Sequence, residues 1–300
     1  MRKIALSLFA VITAFTGFEQ TLVAETNYGT VINIAGRQRM LTQKMSKEIL
    51  LASYNPDFAD YYKSASQTAL LFDATLDGLL NGNQQMGLPG TKSKTIVRQI
   101  DKISMIWQPF YEAVSAVAGS KSANPMAINL IVKNNVPLLK EMNKAVKLYE
   151  QEYSTGEGNT DPRFAVTINL AGKQRMLTQK MSKEFVLIAK GHDAEENQNN
   201  LKGTYQLFDQ TLQGLKNGDE TLNLDASINT PEIDAQLAKV QELWTAFKPS
   251  MEKAANEGTA AITLADVQQV ADDNVPLLKE MNKAVKLFEV ASRAELTASL

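Results

Sequence analysis

INIAGRQRMLTQKMSKE, residues 32–48, and INLAGKQRMLTQKMSKE, residues 168–184, differ at two of 17 positions. A second string, NVPLLKEMNKAVKL, occurs verbatim at 135–148 and at 274–287. The chain of 300 residues is therefore one unit written twice. Fainter echoes lie between the strings: Leu71-Phe72-Asp73 with Leu207-Phe208-Asp209, Gly78 with Gly214, Trp107 with Trp244. Even drift after a duplication would spread the similarity evenly. Two retained end strings against diverged middles predict that the two segments lie side by side.

Each unit divides into four helix-length stretches. In the first they fall near Tyr28–Tyr54, Asp57–Asn81, Lys92–Ala118 and Pro125–Tyr153; in the second near Pro162–Lys190, Ala194–Asn217, Pro231–Asn256 and Leu264–Ala298. The breaks are rich in Gly, Asn and Pro, as in NGNQQMGLPG at 81–90 and GHDAEEN at 191–197. No stretch alternates with period two, so strands are not expected. Leu138, Leu139, Met142, Val146 and Tyr149 recur at the spacing of a bundle core. Pro137 is expected to kink that helix or to mark where its regular part begins. The fold class expected is all-α, two tandem four-helix bundles over 25–155 and 162–300, joined by a polar linker over 156–161 and each folding independently.

Residues 1–24 have the form of a signal peptide. Arg2 and Lys3 precede an apolar run from Ile4 to Phe18, and Leu22-Val23-Ala24 supplies a small-residue cleavage site. The run is shorter than the roughly 20 residues of a spanning helix. The expectation is a periplasmic or secreted protein without stable membrane insertion. A net charge of −2 gives no nucleic-acid footprint. With no cysteine, the fold is held by packing alone, and thiol chemistry is excluded.

The first helix of each unit carries the candidate site. Steps of three and four give Ile32, Gly36, Arg39, Gln43, Ser46 and Leu50 on one face, and Ile168, Gly172, Arg175, Gln179, Ser182 and Val186 in the second copy. A mid-helix glycine costs about 1 kcal/mol relative to alanine and is retained where another backbone must come close, which would place the arginines in a narrow seam between helices. Two arginines facing each other about 6 Å apart repel by about 2–3 kcal/mol at an effective dielectric near 20. An anion between them reverses the sign, and the guanidinium fork matches a planar oxyanion. Met40, Met45, Met176 and Met181 are expected to fill the core. Lys44, Lys47, Lys180 and Lys183 are expected to be exposed surface charges.

AGRQRMLTQKM and AGKQRMLTQKM resemble the signature of the PilJ-like domain, the amino-terminal module of type IV pilus methyl-accepting chemotaxis transducers. That domain is similar to the periplasmic sensor domain of nitrate/nitrite-responsive histidine kinases. The resemblance implies a four-helix sensor bundle. In the nitrate sensors the first helices of two subunits meet at a dimer axis and an arginine from each grips one nitrate, which leaves open here whether the two units pair within one chain or between chains. By motif position those arginines are Arg39 and Arg175, and the preceding small residues are Gly36 and Gly172. The kinase and chemoreceptor signalling modules are not implied, because the chain carries two sensor units and neither of those modules.

An enzyme is not expected. The single histidine, His192, lies in a break without a counterpart in the first unit, and the Glu-x-x-His pairs of di-metal bundles are lacking. Asp73, Asp77, Asp209, Glu141 and Glu280 are scattered helical carboxylates. No catalytic residue, metal site or cofactor is expected. The favoured reading is a sensor or binding protein that takes a small anion, nitrate or nitrite first, between the signature helices at Arg39, Arg175, Gly36, Gly172, Gln43 and Gln179. It would present its ligand state to a membrane receptor or other signalling partner. The alternative is a structural or protein-interaction module without a small-molecule ligand, whose arginines would be exposed or neutralised by carboxylates.

Overall fold

The computed structural model describes residues 28–155 and 161–298. The expected signal peptide, and the linker apart from Asp161, lie outside the described residues. Eight helices of 22 or more residues make up the described chain, with short 3-10 turns in the connections. They are α1 (Tyr28–Ala52), α2 (Asp60–Asn81), α3 (Lys94–Ser120), α4 (Pro125–Thr155), α5 (Pro162–Ala189), α6 (Ala194–Asn217), α7 (Pro231–Glu257) and α8 (Leu264–Ala298). No strand occurs among the described residues, only the isolated bridges Asn83–Leu88 and Asp219–Leu224. No described helix is long and apolar enough to cross a membrane.

Local chemistry sets the helix ends. Asp161 caps α5 by accepting from the Arg163 N–H, with Pro162 in the first turn, where its missing N–H is harmless. α2 and α6 end at Gly82 (φ 94°) and Gly218 (φ 83°), whose N–H groups close on the carbonyls of Gly78 and Gly214. The loop that follows folds back over those two carbonyl-bearing glycines. A Cβ on Gly78 would lie 2.9 Å from Asn83 Cβ, and one on Gly214 would lie 2.8 Å from Leu224 Cδ1. That close approach accounts for the echo of the two glycines. Pro137 lies within α4 and Pro276 within α8, and neither helix breaks there.

In each unit the helices pack as a ring. α1 lies beside α2 and α4, with α3 opposite; α5 lies beside α6 and α8, with α7 opposite. The repeated end strings thus sit on adjacent helices, as their joint retention predicts. The other echoes are core contacts. Phe72 packs against Trp107 with ring centroids 4.2 Å apart, and the indole N–H donates to Asp73 at 2.8 Å. Phe208, Trp244 and Asp209 repeat this at 4.5 and 2.8 Å.

The two rings share a wall. α1 runs along α5 more extensively than along any helix of its own unit, and the buried apolar residues of both units form one contiguous cluster. From Val31 to Ala52 only Asn33, Arg37 and Lys44 escape full burial. α1 and α5 are therefore not amphipathic helices with one wet face. They are central helices, enclosed by their own unit on one side and by each other on the other.

Candidate ligand site between the signature helices

Because α1 and α5 lie face to face, equivalent residues of the two copies meet. Arg39 and Arg175 are both 3% exposed. A Cβ built on Gly36 would lie 3.2 Å from a terminal nitrogen of Arg39 and 3.7 Å from one of Arg175. On Gly172 the values are 3.2 Å to Arg175 and 3.5 Å to Arg39. Both guanidinium ends thus lie over both glycines, in space that a side chain there would fill.

The partners of the two arginines are neutral. Arg39 donates from Nη2 to the Asn169 carbonyl at 2.9 Å and from Nη1 to Asn143 Oδ1 at 3.5 Å. Arg175 donates from Nη2 to the Asn33 carbonyl at 3.1 Å and from Nη1 to Asn282 Oδ1 at 3.4 Å, while its buried Nε has no partner. Among the described residues neither arginine has a carboxylate within 4.0 Å. Glu150 and Glu289 act on them only at a distance. Asn169 donates to Glu150, and Thr30, Asn33 and Arg293 donate to Glu289.

Electrostatics mark the pair as under-compensated. Burial lowers the Arg39 pKa to about 10 against a partial rise from Glu150. Burial, then the charges of Arg39 and Arg37, lower Arg175 to about 9. Half-buried Lys173 is lowered by burial and by Arg39. Burial is thus only partly offset by Glu150 at Arg39 and by Glu289 at Arg175.

Gln43 and Gln179 lie in the same seam but do not join the arginines. They belong to a second polar layer, eight residues further along each helix from the arginines, centred on Lys47 and Lys183. Lys47 Nζ donates to Asn274 Oδ1 at 2.7 Å, and Lys183 Nζ donates to Asn135 Oδ1 at 2.8 Å and Gln43 Oε1 at 3.1 Å. Gln179 Nε2 donates to Asn274 Oδ1 at 2.8 Å. Each asparagine donates in turn to its own unit's signature helix: Asn135 to Ser46 Oγ at 2.7 Å, Asn274 to Ser182 Oγ at 2.8 Å. The exposed-lysine expectation fails at Lys47 and Lys183, which are 3% and 5% exposed. Burial lowers both to about 8. Lys44 and Lys180 are largely covered too, with side chains 24% and 20% exposed, and pair with buried Glu48 and Glu184.

The asparagines are the partners of the buried cations that motif reading missed. Asn135 and Asn143 stand eight residues apart, as do Asn274 and Asn282, so each pair shares one face of α4 or α8. One member serves the lysine layer and the other an arginine. The signal was present, since both asparagines lie in the verbatim string.

Two opposed, buried guanidinium groups, in contact only with neutral partners, thus form a polar layer between the paired central helices. Comparison with known proteins gives the family. The pattern described as "Type IV pili methyl-accepting chemotaxis transducer N-term", PilJ, matches twice, over residues 21–129 and 162–270. The chain belongs to this family, in tandem. Both matches stop short of the NVPLLKEMNKAVKL strings. A curated relative, the methyl-accepting chemotaxis protein McpN of Pseudomonas aeruginosa, is 29% identical over 122 residues, which are 41% of this chain and 22% of McpN. The chain thus spans under a quarter of that relative's length. No solved structure matches.

Proposed function

We propose that the chain is an exported sensor protein that binds one small planar oxyanion, nitrate or nitrite first, between Arg39 and Arg175. It presents the occupied or empty state to a separate signalling partner, such as a membrane receptor. The observation that carries this reading is the convergence of two buried guanidinium groups over two glycines with only neutral partners in contact. An oxyanion there would replace long bonds to amide oxygens with charge-assisted bidentate ones. Membership of a sensor family and the resemblance of the signature to nitrate-responsive sensors support the same choice.

One observation favours the reading without a ligand. Each arginine donates to a backbone carbonyl of the other unit, at 2.9 and 3.1 Å, and so stitches α1 to α5 unaided. A melting-temperature panel separates the two. Nitrate and nitrite are expected to raise the melting temperature of the mature chain at ionic strengths where chloride does not. At a hundredfold excess over the dissociation constant the gain is about 2.7 kcal/mol. Arg39→Ala, Arg175→Ala and either Arg→Lys change should each remove most of that shift, because a lysine keeps the charge without the fork. A flat response to small inorganic and carboxylate anions, both arginines intact, leaves the interaction module.

A further inference from the structure

A ligand lodged between arginines that are 3% exposed needs a way in. Each guanidinium donates to one asparagine side chain that reaches the surface. Arg39 donates to half-buried Asn143 and Arg175 to exposed Asn282. At 3.5 and 3.4 Å these bonds are longer than those to the Asn169 and Asn33 carbonyls, and near the limit at which such bonds hold. Each asparagine also lines a surface groove. The first, of about 470 Å³, follows α4 past Val136, Lys140, Asn143 and Lys147. The second, of about 450 Å³, follows α8 past Val275, Lys279, Asn282 and Lys286.

The two grooves are the outer face of the verbatim string. Core packing explains why its inner residues match between copies, but not its solvent-facing lysines. Lys140, Lys147 and Lys279 have no carboxylate within 4.0 Å among the described residues, whereas Lys144, Lys283 and Lys286 of the same two grooves pair with Glu141, Glu280 and Glu289.

We infer that these grooves are the routes by which a small anion reaches the arginine pair, with Asn143 and Asn282 as the gates. The inference rests on the anion reading above. Rows of exposed ammonium groups raise the local concentration of anions and hence the rate of encounter. The arriving anion displaces a neutral amide oxygen from the guanidinium and offers a charged acceptor instead. The amide swings outward, and the route past exposed Asn282 is the more open of the two, since Asn143 is half-buried.

The test is the exchange of isotopically labelled nitrate with the full mature chain, followed by NMR line shape over a series of ionic strengths. The pair Lys140→Ala/Lys147→Ala should lower the association rate about twofold, as should Lys279→Ala/Lys286→Ala. All four together should lower it about tenfold and flatten its salt dependence, with dissociation little changed. Asn143→Ala should speed association and dissociation together and leave the dissociation constant within about twofold, as expected of a gate and not of a structural residue. Circular dichroism checks that these surface variants keep the fold. Association unaltered in the fourfold variant, or an Asn143→Ala effect on affinity without faster exchange, overturns the routes while the site stands. Absence of any nitrate exchange in the parent chain removes the site and the routes together.

Discussion

Gly36 and Gly172 set the space in which the arginine pair meets. A methyl group at either position would come within 3.2 Å of the flexible end of an arginine. The arginine can move by a few tenths of an ångström, and alanine is the better helix former by about 1 kcal/mol. Gly36→Ala and Gly172→Ala are therefore expected to leave the melting temperature of the empty protein unchanged or slightly raised, while weakening the nitrate-induced shift. Thermal denaturation with and without nitrate measures both, and a destabilised variant with an intact shift would contradict the assignment. The glycine–arginine stripe was legible in the sequence because its spacing repeats in both copies. The buried lysines were not, because helical periodicity assumes one wet face and α1 has none: Lys47 continues the Arg39–Gln43 row by one more turn, yet reads like any surface lysine.

Those lysines also give the protein an unusual dependence on pH. Burial lowers Lys47 and Lys183 from 10.5 to about 8, so the unfolded chain binds more protons than the folded chain between those values. Stability should therefore rise as pH increases from about 8 towards 10 and be flat in this respect below 8. Arg175, lowered to about 9, adds to the rise at its upper end. Near pH 10 the half-exposed Tyr61 and buried Tyr62, whose pKa values burial raises, begin to oppose it. Urea unfolding at a series of pH values should show the rise in the parent chain and a shallower one in Lys47→Met/Lys183→Met.

At the scale of elements, α4 and α8 brace α1 and α5. Asn135 joins three partners: it donates to the Thr42 carbonyl at 2.9 Å and Ser46 Oγ at 2.7 Å, and accepts from Lys183 of the other unit at 2.8 Å. Asn135→Ala removes an acceptor from a buried ammonium and should cost about 2–3 kcal/mol, roughly 5–10 °C in melting temperature. Neighbouring Asn134 bonds only to the Leu130 carbonyl of its own helix, and Asn134→Ala should stay within about 0.5 kcal/mol. Equal effects of the two changes would show that the layer is not structural. Helix positions were readable because Gly, Asn and Pro punctuate every break. Which residues join the layers was not, since an asparagine on a helix bonds locally or across an interface with the same local sequence.

At the scale of the whole molecule, the sequence suggests two separate bundles, whereas the structure joins them along α1 and α5. The faces that meet carry the arginine and lysine layers as well as apolar residues, so separating the units would expose buried cations and core together. Cleavage between residues 156 and 160 is accordingly expected to leave two fragments that co-elute at the size of the intact chain. Independent monomeric bundles would show that the shared wall contributes little. Periodicity within a unit cannot reveal such a wall, because the pattern of a helix buried on two sides does not name its second neighbour.

Under the proposed anion reading, that arrangement predicts a ligand count. If α1 and α5 of one chain form one site from two half-sites, a calorimetric titration of the chain with nitrate should give one anion per chain, and both Arg39→Ala and Arg175→Ala should abolish it. Two anions per chain, or one that survives either substitution, would contradict a single site shared by the two arginines.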